Sequence, residues 1–112
     1  MKSIILVEDD IIITKLLIKL NKKKIQVVHY YNAHSVKNAV LHHSPDCMVL
    51  DIGLPDTSGY ELIVSIKEYY TGPVMFLTGH TSEKAEIAGL RLGANDFVHK
   101  SKSFEVIYTR IM

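Results

Sequence analysis

The stretch DIGLPDTSGYEL, residues 51–62, follows directly on the apolar run CMVL, residues 47–50. It places a carboxylate, Asp51, at the end of a run that is typical of a short buried strand. A charged carboxylate in such a place is costly unless a cation or hydrogen-bond donors compensate it. Pro55 and Gly59 follow the acid and predict a shaped loop before the next helix. We therefore expect a functional loop here, with its partners at the ends of neighbouring strands.

Short apolar runs rich in Val, Ile and aromatic residues recur along the chain and alternate with longer amphipathic segments. Continuous apolar runs are typical of parallel strands that are covered on both faces. The predicted strands are residues 3–7, 25–31, 47–50, 73–78 and 96–100. The predicted helices are residues 11–22, 35–43, 59–69, 82–92 and 103 onward. This alternation predicts an α/β fold of five βα units around a doubly wound, five-stranded parallel sheet.

Length and composition restrict the classes of function. The chain has 112 residues, the size of one domain. Its 13 basic and 12 acidic residues give a net charge of +1, which argues against direct nucleic-acid binding. No signal peptide is visible, and no stretch approaches the roughly 18 apolar residues of a membrane span. The chain ends inside the predicted fifth helix, so we expect it to be part of a longer protein.

Side chains suited to phosphoryl chemistry follow four of the predicted strands. In doubly wound sheets the functional site lies at the carboxyl ends of the strands. The residues there are Glu8 and Asp9 after the first strand, Asp51 after the third, Thr78 on the fourth and Lys100 on the fifth. Clustered carboxylates must share protons, pair with the lysine or bind a hard cation such as Mg²⁺. The set predicts a phosphoryl-transfer site with Asp51 as the nucleophile.

Each of these residues also has a structural interpretation when it is taken alone. Acids after the first strand can cap a helix, and an Asp at a strand end can bond its own turn. Thr78 can be a cap and Lys100 a surface lysine. Their coincidence at one edge of the sheet favours the functional interpretation.

The sequence resembles the response-regulator receiver domains of two-component signalling, the CheY-like family, over essentially its whole length. The motifs that carry the resemblance are ILVEDD (5–10), VLDIGLPDTSGYEL (49–62), VMFLTGHT (74–81) and GANDFVHK (93–100). The resemblance implies the strand order 2-1-3-4-5 and a single receiver domain over residues 1–112. It also implies a bacterial, cytoplasmic phosphoprotein that accepts a phosphoryl group on Asp51 from a histidine kinase or phosphotransfer protein.

The resemblance further implies a Mg²⁺ site, in which Mn²⁺ can substitute. Asp9, Asp51 and the backbone carbonyl of Gly53 would ligate the ion directly, and Glu8 would act through water. Pro55 would stiffen the loop after the phosphorylated residue.

The remaining matching positions concern the phosphoryl group and the response to it. Thr78 and Lys100 would contact the phosphoryl oxygens, and Gly79 would leave them room. Phe97 corresponds to the switch aromatic, which turns inward when the threonine moves. Gly59 would let the loop turn into the third helix. The face made by the fourth helix, fifth strand and fifth helix would then control an output domain or effector protein, and it is a candidate surface for a homodimer.

Two positions depart from the simplest family pattern. Ser101 follows Lys100 where the family usually has a proline in a cis bond. A cis bond without proline costs about 2.5–4 kcal/mol, so we expect a trans bond and a differently shaped loop. His80 lies two residues after Thr78, and its role is open between an exposed loop histidine and a group that tunes the lifetime of the phosphorylated state.

The output of the domain is less defined by sequence. Asp96 and Arg110 occupy positions where the winged-helix branch of the family has a salt bridge between dimer subunits, but Arg91 stands where that branch tends to have an acid.

Two other functions are compatible with the fold class. A magnesium-dependent phosphatase with an Asp nucleophile would carry a second Asp at position 53, where this chain has Gly53. A flavin-binding module would need a phosphate loop after the first strand, where this chain has three acids.

Overall fold

The computed structural model describes residues 3–8, 19–42, 44–54, 56–79, 82–102 and 104–111. The predictions for Asp9, Pro55 and His80 concern positions outside this part of the chain.

Five parallel strands form one sheet in the order β2-β1-β3-β4-β5, which confirms the predicted fold class. The strands are β1 (Ser3–Val7), β2 (Gln26–Tyr30), β3 (Cys47–Leu50), β4 (Val74–Thr78) and β5 (Asp96–His99). Residues 19–22 are helical and are called α1 here. The other helices are α2 (Ala33–His42), α3 (Gly59–Ile66), α4 (Glu83–Arg91) and α5 (Phe104–Ile111). In the described ranges, no helix is long and apolar enough to cross a bilayer.

Two hydrophobic clusters lie on opposite faces of the sheet. Ile5 and Val7 of β1 point into the cluster formed with α2 and α3. Ile4 and Leu6 point into the other, which includes residues of α1 and α5. Successive side chains of a strand alternate between faces, so a strand with helices on both sides must be apolar at every position. This explains the continuous apolar runs of the sequence.

Helix α2 begins two residues earlier than predicted, with a local cap from Asn32, whose Oδ1 accepts from the Ser35 N–H at 3.0 Å, and a distant carboxylate at its first residues. The backbone N–H groups of Ala33 and His34 donate to Oδ1 and Oδ2 of Asp56, at 3.0 and 2.9 Å. The first N–H groups of a helix have no partner inside the helix, so a carboxylate that accepts from them stabilises its start. Asp56 belongs to the loop after β3, which therefore contacts the start of α2.

Serine caps begin α3 and α4, and α3 ends earlier than predicted. Ser58 accepts from the N–H of Glu61, and Ser82 accepts from the N–H of Ala85. Helix α3 stops at Ile66, and the following residues form a turn instead of the predicted extension to residue 69. The predicted stop after α4 is confirmed, since Gly93 has φ +111°.

Candidate functional site

Backbone hydrogen bonds hold the ends of β1 and β3 side by side. Val7 is paired with Leu50 in the parallel register, and the Asp51 N–H donates to the Val7 carbonyl at 3.0 Å. The Glu8 N–H donates to the Tyr30 carbonyl at 3.0 Å on the other side. The two carboxylates that follow these strands, Glu8 and Asp51, are therefore neighbours at the carboxyl edge of the sheet.

The ends of β4 and β5 bring a hydroxyl and an ammonium to the same edge. Thr78 is the last residue of β4 and is fully buried. The Lys100 N–H donates to the Thr78 carbonyl at 2.8 Å, which extends the strand pairing by one residue. The predicted residues Glu8, Asp51, Thr78 and Lys100 thus share one edge.

The Lys100 ammonium lies between the two carboxylates. Its Nζ is 2.8 Å from Oε2 of Glu8 and 3.5 Å from Oδ2 of Asp51. Glu8 is 1% exposed and Asp51 is 5% exposed, whereas the Lys100 side chain is 23% exposed. Ion pairs with so little water around them are screened only weakly. The lysine is therefore the cation that holds two buried acids in place.

The donor chemistry of this edge fits a hard divalent cation. Among the described residues, two buried carboxylates, those of Glu8 and Asp51, face the ammonium of Lys100 at this edge. Mg²⁺ prefers a few carboxylate and carbonyl oxygens and keeps several waters. Gly53, whose carbonyl the resemblance implies as a ligand, is exposed. Among the described side chains there is no ready cluster of three His, Cys, Asp or Glu residues.

Gly59 is required by a close approach within the loop after β3. A Cβ at this position would lie 2.2 Å from the carbonyl oxygen of Asp51 and 2.9 Å from the Ile52 Cα. The Gly59 N–H donates to the Ile52 carbonyl at 2.7 Å, and Gly53 bridges to Ser58. The loop is therefore folded tightly against the backbone of Asp51, and the absence of a side chain, rather than an unusual φ, is what the glycine supplies.

Gly79 differs from Gly59 in its surroundings. No atom of the described residues lies within 4 Å of a Cβ built on Gly79. The packing of the described chain therefore leaves open space at Gly79, where the resemblance implies room for the phosphoryl group.

Three aromatic rings connect α3, β4 and β5 under α4. The Phe97 and Phe76 centroids are 6.1 Å apart, and those of Phe76 and Tyr60 are 5.6 Å apart. The Tyr60 hydroxyl donates to the carbonyl of Ala85 in the first turn of α4, at 3.0 Å. A Cβ on Gly89 would lie 3.0 Å from Phe76 and 3.3 Å from Phe97. Helix α4 thus rests directly on two of the rings, and Phe97 is half-buried beneath it.

Two histidines near the ends of β2 and β5 contact the site, and no role was predicted for either of them. Nε2 of His29 is 2.7 Å from the carbonyl oxygen of Glu8. His99 bonds to Gly79 and to Ser101. In the sequence, only their positions near the carboxyl ends of predicted strands could have indicated that they contact the site. The Lys100–Ser101 peptide bond is trans, as predicted, since the described residues include no cis bond.

Asp96 and Arg110 are paired with each other inside this chain. Nη1 of Arg110 is 3.0 Å from both carboxylate oxygens of Asp96. The two side chains are partly exposed, at 55% for the arginine and 27% for the aspartate.

The family and its solved structures agree with this architecture. The response regulator receiver domain family matches residues 4–112. The transcriptional regulatory protein KdpE of Mycobacterium tuberculosis is 31% identical over 111 residues, which cover 97% of this chain and 49% of that protein. The chain thus spans about half the length of the curated relatives it matches.

Two solved receiver domains share the fold at similar identity. The BeF₃-activated N-terminal receiver domain of Klebsiella pneumoniae RstA has a TM-score of 0.91 and 29% identity, covering 97% of this chain and 94% of that one. The non-phosphorylated HemR receiver domain of Leptospira biflexa has a TM-score of 0.89 and 28% identity, covering 98% and 90%. With the fold and the four-residue edge described above, these similarities show that the chain belongs to the response regulator receiver domain family.

Proposed function

We propose that this chain is the phosphoacceptor domain of a two-component phosphorelay and that Asp51 is the phosphorylated residue. The observation that carries the proposal is the convergence of Glu8, Asp51, Thr78 and Lys100 on one sheet edge, with the lysine between the two acids. The donor would be a phosphohistidine on a histidine kinase or phosphotransfer protein in the bacterial cytoplasm.

In the proposed reaction a carboxylate oxygen of Asp51 forms a bond to phosphorus while the phosphorus–nitrogen bond of the donor breaks. The imidazole of the donor keeps the electron pair of that bond. A bound Mg²⁺ or Mn²⁺ would neutralise charge on the phosphoryl oxygens. Asp9, Asp51 and the Gly53 carbonyl would hold it, and Glu8 would act through water.

The chain's own residues contribute positioning and charge. The Lys100 ammonium is 3.5 Å from the Asp51 carboxylate. Its side chain is more exposed than those of Glu8 and Asp51, so it can move toward the phosphoryl oxygens and stabilise their charge. Thr78 offers a hydroxyl beside the open space at Gly79. The tight fold at Gly59 fixes the backbone of Asp51, so the nucleophile is held by the loop and by β1.

A phosphoryl group adds about −1.5 to −2 charge, and the resulting rearrangement would reach the α4-β5-α5 face through Phe97. That face carries exposed apolar side chains, Ile87 and Leu90 on α4 and Val106 on α5, each 39–42% exposed. We propose that it binds an output domain, an effector or a second copy of the chain. The Asp96–Arg110 pair lies on this face and could exchange partners in a homodimer. For His80 we keep the hypothesis that it tunes the phosphate lifetime, which a half-life measurement on His80→Ala would test.

Beryllofluoride, which mimics an aspartyl phosphate, tests the assignment of Asp51. Backbone amide NMR shifts of Thr78 and Gly79 should change on adding BeF₃⁻ only when Mg²⁺ is present, and Asp51→Ala should abolish the change. The matched control is Asp56→Asn, a carboxylate of the same loop that faces α2 instead. Binding that persists in Asp51→Ala would overturn the proposal. Steady turnover of a free phosphomonoester would favour the phosphatase alternative, which Gly53 disfavours.

The proposed homodimer is tested separately by sedimentation with and without BeF₃⁻ and Mg²⁺. Ile87→Lys should prevent association, whereas Val64→Lys on α3, at a position that is 52% exposed, should not. Equal sedimentation of the wild type in both conditions would exclude a phosphorylation-driven dimer and leave an output domain or effector as the partner.

A further inference from the structure

His99 is the last residue of β5 and directly precedes Lys100. Its ring forms hydrogen bonds to the loop after β4 and to the loop after β5. Its Nε2 is 3.1 Å from the carbonyl oxygen of Gly79, the residue that follows Thr78. Its Nδ1 is 3.1 Å from the backbone nitrogen of Ser101 and 2.5 Å from the Ser101 hydroxyl oxygen. One imidazole therefore connects the loop after β4 to the loop after β5.

The hydrogen-bond partners determine which tautomer satisfies all these contacts. A carbonyl oxygen only accepts, so Nε2 must carry a proton toward Gly79. A backbone N–H only donates, so Nδ1 must be unprotonated toward Ser101. The neutral ring with its proton on Nε2 meets both requirements, and the serine hydroxyl can rotate to donate to Nδ1 as well.

Among the described residues, few other hydrogen bonds restrain Ser101 and Lys102. The Lys100 N–H bond to Thr78 is the last bond of the β4–β5 pairing, and the Lys102 N–H closes a turn on the His99 carbonyl at 3.1 Å. Ser101 and Lys102 are exposed. A proline at position 101 would restrict the backbone at this point by its ring, and serine does not. Within the described part of the chain, the side chain of His99 thus connects Ser101 to the rest of the site.

We propose that His99 is a positioning residue for Lys100: by holding Ser101 and Gly79 together, it fixes the backbone from which the lysine reaches Asp51 and the incoming phosphoryl group. The inference rests on the proposed function. It assigns no direct contact between His99 and the phosphoryl group.

Substitutions can separate the two halves of the contact. In His99→Asn the side-chain oxygen takes roughly the place of Nδ1 and can accept from Ser101, but the side chain does not reach Gly79. In His99→Gln the side-chain nitrogen takes roughly the place of Nε2 and can donate to Gly79, but nothing replaces Nδ1. His99→Ala removes both, and His34→Ala, at an exposed position of α2, is the matched histidine control.

The measurement is the BeF₃⁻ concentration that half-saturates each variant at saturating Mg²⁺, followed by amide NMR. His99→Ala should raise it about tenfold, because it removes the contacts to both loops, and His99→Asn and His99→Gln about threefold each, because each keeps the contact to one loop. His34→Ala should match the wild type. A His99→Ala value within twofold of the wild type would overturn the inference.

A double-mutant cycle shows whether His99 acts through the lysine. In a Lys100→Ala background, His99→Ala should change the half-saturating concentration by less than twofold. An undiminished tenfold effect there would mean that His99 acts independently of Lys100. The ring ¹⁵N shifts of the wild type add a signature, since a proton on Nδ1 instead of Nε2 would also contradict the inference.

The outcomes separate this inference from the proposed function. If the wild type fails to bind BeF₃⁻ with Mg²⁺, the proposed function is wrong and the role of His99 fails with it. If the wild type binds and Asp51→Ala does not, while His99→Ala equals the wild type, only the role of His99 is wrong. Thermal unfolding of each variant shows that the compared proteins are folded.

Discussion

Polar groups are arranged differently at the amino and carboxyl ends of the parallel strands. At the amino ends, neighbouring strands exchange pairs of hydrogen bonds. Ser3 N–H donates to the Asp46 carboxylate and the Asp46 N–H donates to the Ser3 carbonyl, both at 2.7 Å. Val74 and Asn95 repeat the exchange between β4 and β5, at 3.0 and 2.7 Å. Every charge or dipole named here has a local partner.

At the carboxyl ends, the described side chains instead bring several ionisable groups together in one buried cluster. Among the described residues, the two buried acids Glu8 and Asp51 share the ammonium of Lys100. Buried like charges lower stability. We infer that the amino end contributes to stability, whereas the carboxyl end retains charge for binding. Substitutions at the two ends should therefore separate stability from phosphate-analogue binding.

The largest loss of stability is expected from Gly59→Ala, where the cause is a steric clash in the loop after β3 and not the charged groups of the carboxyl end. The new Cβ would lie 2.2 Å from the backbone oxygen of Asp51, and a backbone atom cannot rotate away. We expect the free energy of unfolding to fall by about 3 kcal/mol, as in other overpacked sites. Chemical denaturation measures it. Gly79→Ala is the matched control, expected within about 0.5 kcal/mol of the wild type, since its Cβ meets no described atom. Equal stability of the two variants would contradict the close approach.

A smaller loss is expected at the amino end from Tyr70→Phe. The buried hydroxyl lies 3.1 Å from the Pro45 carbonyl oxygen and 3.2 Å from that of Pro73. Its removal should cost about 1–2 kcal/mol and leave BeF₃⁻ binding unchanged.

The same tyrosine gives a test at alkaline pH. Burial raises the pKa of Tyr70 from 10.0 to about 12. Because the folded-state pKa is raised, the stabilisation is complete below pH 10 and is lost as the pH rises toward 12. The free energy of unfolding of the wild type, measured by chemical denaturation, should fall between pH 10 and about 12. In Tyr70→Phe the part of this fall that comes from Tyr70 should be absent.

Asp51→Asn tests the comparison most directly. Removing one of two buried carboxylates should leave the free energy of unfolding unchanged or raise it by up to about 1 kcal/mol, while Lys100 keeps its pair with Glu8. BeF₃⁻ binding should disappear. Asn95→Ala should do the reverse, with a loss of about 1 kcal/mol and normal binding, because it removes the acceptor of the Val74 N–H. Marked destabilisation by Asp51→Asn would break the contrast between the two ends.

The smallest effect is expected from Asp56 in acid. Hydrogen bonds from the backbone of Ala33, opposed by partial desolvation and aided by His34, lower the pKa of Asp56 below its ordinary 3.8. Because the folded-state pKa is depressed, its stabilisation is present above pH 3.8 and is lost as the pH falls below it. Asp56→Asn should flatten this part of the acid unfolding curve, and an unaltered curve would show that the cap at α2 contributes nothing.

The sequence predicted the fold because the sheet imposes a simple pattern on it. A strand such as β3 has helices on both faces, so its four residues are all apolar. The candidate site was predictable for a related reason, since parallel strands bring their carboxyl ends, and with them Asp51 and Lys100, to one edge.

Contacts between distant loops were not predictable. Asp56 caps a helix that begins 23 residues before it, and His99 reaches a carbonyl 20 residues before it. The residues around Asp56 and His99 in the sequence do not indicate these partners. Helix and strand periodicity predicts on which face of an element a residue lies, but it does not predict which loop contacts that residue. The reason for Gly59 was missed likewise, since a backbone approach leaves no mark except the glycine itself.

The contact of Gly89 with two rings limits how this surface can vary. A single methyl group there would require Phe76 or Phe97 to shift, or α4 to move outward from the sheet. The glycine at position 89 thus sets how closely α4 can lie on β4 and β5 in this chain, because the two rings fill the space that a side chain would need.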